Sequence, residues 1–130
     1  MAVCFHIQMD IISKEKDILS KIAEKHFKNG TFELASLDKP KDFEADNDNL
    51  GYWWGTPDEC FDGTWSEPRS DSHSDSYLLE SDFYTVWGIP IVPFTVLSTM
   101  YPDCRFEIFY NADCDIDVDG NLALVDGKCV

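Results

Sequence analysis

The densest run of side chains able to do chemistry lies toward the C-terminus. Asp113, Asp115, Asp117 and Asp119 fall at every second position, followed by Gly120, Leu122 and Asp126. Counted from Asp115, carboxylates occupy positions 1, 3, 5 and 12 of a loop, with Gly at 6 and Leu at 8. That spacing matches a calcium loop, in which hard oxygen ligands converge around a turn that only Gly permits. Asp115, Asp117, Asp119 and Asp126 are then the metal ligands, the last being shorter than the bidentate Glu that usually closes such a loop. The same residues also read as a metal-free β-hairpin. Asp119-Gly120 is a favoured type I′ turn between Ile116/Val118 and Leu122/Leu124. In that reading Asp115, Asp117 and Asp119 form an acidic comb on the exposed face of a strand.

Other reactive side chains are scattered. Cys4, Cys60, Cys104 and Cys114 are nucleophiles only if the fold brings a base beside one of them. His6 falls on the outer face of a strand, His26 on the flank of a helix, and His73 between Asp71 and Asp75 in a Ser-rich segment. No His-x-x-x-His or paired Cys/His spacing points to zinc. Neither a Gly-rich phosphate cradle nor a Gly-x-Ser-x-Gly elbow occurs. No catalytic constellation is legible, so the expectation is a non-enzymatic protein with no cofactor beyond the calcium alternative; a further alternative is a small-ligand-binding protein of unknown role with a pocket between Trp54 and Trp87.

The aromatic residues suggest binding instead. Tyr52, Trp53, Trp54, Phe61, Trp65 and Trp87 exceed what one small sheet face hides, although most of them are expected in the core. Trp and Tyr dominate interface hot spots. Around them stand Asp46, Asp48, Asp58, Glu59, Asp62 and Glu67, which makes an apolar centre with an acidic rim. Together with Asp113, Asp115, Asp117 and Asp119, these are the candidate partner-binding residues.

Charge points the same way. The chain of 130 residues carries −15 at neutral pH. Residues 1–40 hold six lysines and six acids; residues 41–130 hold the other 19 acids against Lys41, Arg69, Arg105 and Lys128, so the whole excess falls there. Such a field repels phosphates and attracts basic proteins or cations. Direct nucleic-acid binding is therefore not expected. No apolar run approaches the roughly 18 residues that a membrane helix needs. The N-terminal residues lack a basic n-region and a small-residue cleavage site. Five cysteines without a Cys-x-x-Cys fit a reducing cytoplasm.

The elements that must position these groups follow from periodicity. Residues 2–9 alternate Val3, Phe5, Ile7 and Met9 against Cys4, His6 and Gln8, a strand with one buried face. After Ser13 as N-cap, Ile18, Leu19, Ile22, Ala23, His26 and Phe27 mark one helical stripe, and Asn29-Gly30 ends it. Thr31 to Leu37 reads as a second strand. Residues 38–76 read as a largely irregular acidic excursion. A strand at Tyr77–Leu79 and another at Phe83–Trp87 follow. Pro93 then opens a helix with Phe94, Leu97 and Tyr101 on one face, and Phe106, Ile108 and Tyr110 alternate in a last strand. Two β-α-β halves predict one α+β domain spanning 1–130. Its expected architecture is a ferredoxin-like split β-α-β sandwich, with an antiparallel sheet, two helices on one face and a C-terminal β-hairpin.

Three stretches carry a resemblance. Trp53-Trp54-Gly55-Thr56-Pro57-Asp58 is similar to a short aromatic segment of the YubB-type ferredoxin-like family of plasmid and phage proteins. Phe83-Tyr84-Thr85-Val86-Trp87-Gly88-Ile89-Pro90 resembles that family's strand and corner. Tyr101-Pro102-Asp103-Cys104-Arg105-Phe106 resembles the passage from its helix into the next strand. The likeness covers about residues 50–112. It implies a ferredoxin-like sandwich and a mobile-element origin, and no reaction. Joined to the acidity, it leads to an expected role in the host bacterial cytoplasm: binding and inhibiting a basic nucleic-acid-binding defence protein. A CRISPR effector or a restriction enzyme is such a target, met by an anti-CRISPR or anti-restriction protein acting as a nucleic-acid mimic.

Overall fold

A computed structural model of the chain describes residues 4–28, 31–33, 36–37, 60–72, 74–86, 91–112 and 119–130. Strand β1 (Cys4–Ser13) leads into helix α1 (Lys16–His26), then short strands β2 (Phe27–Lys28) and β3 (Thr31–Phe32). Strands β4 (Phe61–Trp65), β5 (Arg69–Ser70) and β6 (Tyr77–Val86) precede helix α2 (Ile91–Met100). Strands β7 (Arg105–Ala112), β8 (Asp119–Val125) and β9 (Lys128–Cys129) complete the order. The main sheet runs β4-β6-β1-β7-β8-β9, with β5 beside β4 on the outer edge of β6, and every pairing in it is antiparallel. Among the described residues the protein is α+β, with an antiparallel sheet and two helices.

Alternation decides which face is buried. Ile7, Met9 and Ile11 of β1, Leu79 and Phe83 of β6, and Phe106 and Ile108 of β7 are fully enclosed. Helix α1 lays Leu19, Ile22, Ala23 and His26 on the same core, at the three- and four-residue spacing of one helical stripe. Helix α2 adds Phe94 and Leu97. Phe83 sits between Phe32 (5.8 Å between ring centroids) and Phe94 (6.2 Å).

Pro93 lies in the first turn of α2, where its missing N–H removes no helical bond. This helix is apolar except for its hydroxyls, and those fold back onto the backbone. Thr95 Oγ1 donates to Ile91 O at 2.8 Å, Ser98 Oγ to Thr95 O at 2.9 Å and Thr99 Oγ1 to Val96 O at 2.7 Å. That leaves no polar cost for packing the helix on both sides. Ser98 Oγ also accepts the Gly127 N–H at 2.7 Å, tying α2 to the last turn of the chain.

Four expectations change. First, among the described residues the stretch Thr31 to Leu37 contributes the short strand β3, which pairs with β2 as a separate two-stranded sheet, Phe27 opposite Phe32. Helix α1 therefore ends at His26, with Phe27 already extended at its C-cap, and not at a left-handed Gly30. Second, β1 runs to Ser13, whose hydroxyl accepts the Glu15 N–H; Glu15 is the N-cap residue, without a side-chain bond of its own. Third, part of the supposed irregular excursion is ordered edge. β4 and β5 pair with β6, and Asp71 N donates to Ser76 O to close their hairpin. Sequence alternation is broken there because β4 carries a bulge. Its register shifts between Phe61 and Thr64, and Asp62 has φ 50°. Fourth, Asp119-Gly120 is no turn: both lie in β8, opposite Asn111 and Tyr110. The type I′ hairpin turn is Asp126-Gly127, with φ 51° and 75°, between β8 and β9.

Gly127 is required twice over, by its φ and because a Cβ there would meet Thr99 Cγ2. Gly127→Ala is expected to cost about 1–3 kcal/mol, read as a lowered midpoint in thermal melts. Alanine at an exposed helical site, Lys25→Ala, is expected to change stability by no more than about 0.5 kcal/mol.

Candidate functional site

The sheet face turned away from the helices carries the alternate residues, and none of those described is buried. The strand registers set them in rows. Tyr84, His6, Asn111 and Asp119 form one row, Thr64, Asp82, Gln8, Phe109 and Asn121 the next, and Glu80, Asp10 and Glu107 the third. Three shallow depressions cross this face. One of about 320 Å³ lies between Gln8, Thr64, Arg69, Glu80 and Asp82. A second of about 460 Å³ lies among His6, Gln8, Phe109, Asn111 and Asn121. A third of about 370 Å³ spans Arg105, Glu107, Phe109, Ala123 and Val130. Gln8 is shared by the first pair, and Phe109 and Asn121 by the second, so the three make one open furrow across the sheet. A furrow this open suits an extended chain better than an enclosed small molecule.

Its electrostatics centre on Asp10. Glu80 pairs with Arg69, and Glu107 with Arg105 at 3.0 Å. Asp10, opposite both glutamates, receives only Gln8 Nε2 at 3.4 Å and makes no ion pair among the described residues. Partial burial raises the Asp10 carboxyl above its ordinary value; the Gln8 bond opposes this, Glu107 adds to it and Arg69 opposes it. The folded state thus holds this proton to higher pH than the unfolded chain does. Stability is lost as pH rises from the unfolded value, about 3.9, through the folded one. Asp10→Asn is therefore expected to raise the melting midpoint at pH 7, by less than about 1 kcal/mol at so exposed a site. The gain should vanish below about pH 4.

The residues expected to bind a partner are only partly within view. Asp46, Asp48, Trp53, Trp54, Asp58, Glu59, Asp113, Asp115 and Asp117 lie outside the described residues, as do Tyr52, Trp87, His73 and Cys114. Asp62 and Glu67 are exposed on the β4 edge and Asp119 at the start of β8. Trp65 is half-buried and packs on Phe27 at 6.2 Å, turned to the core rather than outward as an anchor. Of the calcium ligands, Asp119 and Asp126 stand at opposite ends of β8. Seven residues of extended chain separate them by roughly 20 Å, so they do not share one ion. Among the described residues no group of three or more His, Cys, Asp or Glu is arranged to hold a metal. Millimolar calcium is expected to leave the melting midpoint unchanged, since only a ligand of the folded state raises it.

His26 is not a flank residue. It is fully buried, with Nδ1 2.7 Å from Ser36 Oγ and Nε2 2.8 Å from Tyr101 Oη. Ser36 donates its proton to Glu33 O at 2.6 Å, so its oxygen accepts the His26 Nδ1–H, and Nε2 shares the second bond with the Tyr101 hydroxyl. Burial pushes the Cys104 thiol up, against a hydrogen bond with Ser13, which disfavours the nucleophilic thiolate. Cys60 is buried as well.

Sequence reasoning missed Asp10, Glu80 and Glu107. The signal was present for Asp10: continuing the alternation of β1 beyond Met9 puts Asp10 on the same face as His6 and Gln8. Comparison with known protein families, curated proteins and solved structures finds no match to this chain. No helix among the described residues is long and apolar enough to cross a membrane.

Proposed function

We propose that the protein acts by binding and not by catalysis, as a small acidic protein of a phage or other mobile element. Its partner is a basic nucleic-acid-binding host protein, such as a CRISPR effector or a restriction enzyme, whose nucleic-acid site it occupies in the host cytoplasm. The observation that carries this reading is the charge: a net −15 that falls entirely within residues 41–130. A field of one sign speeds encounter with the opposite sign and rejects phosphates. The resemblance of the Trp53–Asp58 and Phe83–Pro90 stretches to the YubB-type family supports the mobile-element origin. A ferredoxin-like arrangement is supported by the order β4-β6-β1-β7, all antiparallel, with α1 between β1 and β4 and α2 between β6 and β7. Strands β8 and β9 then extend its β7 edge.

The test is capture by the tagged protein from a bacterial lysate containing CRISPR and restriction systems, at low and moderate salt. The expected result is one basic nucleic-acid-binding complex, released as salt rises and unable to bind its nucleic acid while captured. Capture that ignores salt, or a complex that still binds nucleic acid, would overturn the mimic reading.

A further inference from the structure

Glu80, Asp10 and Glu107 stand side by side on three adjacent strands, Asp10 being the register partner of both glutamates. Residues directly opposite across antiparallel strands have Cβ atoms about 5 Å apart, and like charges there oppose folding. The sheet gains nothing from this row. Its two ends are neutralised by Arg69 and Arg105, which leaves the middle carboxylate short of one positive charge. Asp82 and Asp119 line the furrow with Glu80 and Glu107, so four carboxylates stand against Arg69 and Arg105 along it, with Asp10 between the two glutamates on the same sheet face. Beside the acids lie aromatic surfaces: Phe109 is 40% exposed, and His6 stacks obliquely on Tyr84 at 5.1 Å.

We propose that this open sheet face is the docking surface for an extended, arginine-bearing segment of the basic partner, with one guanidinium seated over Asp10 between Glu80 and Glu107. The inference rests on the acidic-binder reading and deepens it by naming the surface and the group recognised. Arginine fits better than lysine because its planar fork bonds a carboxylate through two N–H groups and stacks on aromatic rings. From β4 to β8 the furrow crosses four strand spacings, about 19 Å, the length of roughly six extended residues. A second copy of the chain carries a further net −15 and is repelled. A nucleic acid is repelled in the same way.

Isotope-labelled full-length protein titrated with a hexa-arginine peptide, with hexa-lysine as comparator, at low and moderate salt tests this by NMR. Hexa-arginine is expected to shift the amides of Gln8, Asp10, Glu107 and Phe109 and to bind several-fold more tightly than hexa-lysine. Asp10→Asn, which leaves the fold at least as stable, should weaken hexa-arginine about tenfold. Glu24→Gln, at an exposed position of α1, should change it less than twofold. Binding that ignores Asp10→Asn and shifts only residues off the sheet face would overturn the docking surface but leave the acidic-binder reading standing. Equal binding of the two peptides would overturn the arginine assignment. Shifts of the furrow amides with protein concentration alone would make the occupant a second copy. No binding of either peptide at low salt would overturn both readings.

Discussion

Phe83→Ala is expected to destabilise the protein by about 3–5 kcal/mol, the largest effect of any single side chain considered. Phe83 has no exposed surface, lies opposite Ile7 on β1 and packs its ring against Phe32 and Phe94. It therefore joins the sheet, the β2–β3 hairpin and α2. Truncation removes the transfer energy of the ring and leaves a cavity that three separate elements cannot all close. For a domain of this size the melting midpoint should fall by roughly 10–20 °C. Tyr84, the next residue, faces the other way, and Tyr84→Ala is expected to cost less than half as much. Equal losses at 83 and 84 in chemical denaturation would contradict the facing of β6.

His26→Leu is expected to cost about 2–4 kcal/mol, although it replaces a polar side chain in the core with an apolar one. The reason is the chain of bonds from Tyr101 through His26 and Ser36 to Glu33 O. Leucine breaks the bonds to the half-buried Tyr101 and Ser36 hydroxyls, and a shielded polar group that loses a bond costs more than the bond's net contribution. Ser36→Ala removes two of the three bonds but keeps the one to Tyr101, and should cost about 1–2 kcal/mol, less than His26→Leu. Urea denaturation of the two variants checks the ratio. A His26→Leu protein as stable as the parent would show that the bonds add nothing beyond packing.

Much of the local structure was legible in the residues themselves. The alternation of Ile7 and Met9 put one face of β1 inside, the stripe Leu19-Ile22-Ala23-His26 gave α1 its buried side, and Pro93 marked the first turn of α2 and Pro102 its end. These are short-range signals, since period 2 and period 3.6 are imposed by the backbone and show within ten residues. The acidity of residues 41–130 was equally plain, because net charge depends on no geometry. Of the carboxylates that line the furrow, residue type alone had recommended only Asp119; Asp62 and Glu67 do not line it.

What the tertiary structure decided is which distant residues meet. Asp119-Gly120 has the composition of a hairpin turn, yet pairing with Asn111 and Tyr110 holds it extended, and the turn forms at Asp126-Gly127 against Ser98 of α2. Turn propensity is worth little beside a run of ladder bonds and a packed neighbour. His26, unremarkable on its helix, became a buried link because Tyr101, 75 residues away, reaches it. Asp10, Glu80 and Glu107 are ordinary charges in three separate strands, and only the order β6-β1-β7 sets them in one row. By itself the sequence determined periodicity, charge and the facing of β1, since those depend on neighbours along the chain. The row of acids required the fold, because antiparallel pairing alone brings residues so far apart in the chain within reach of one guanidinium.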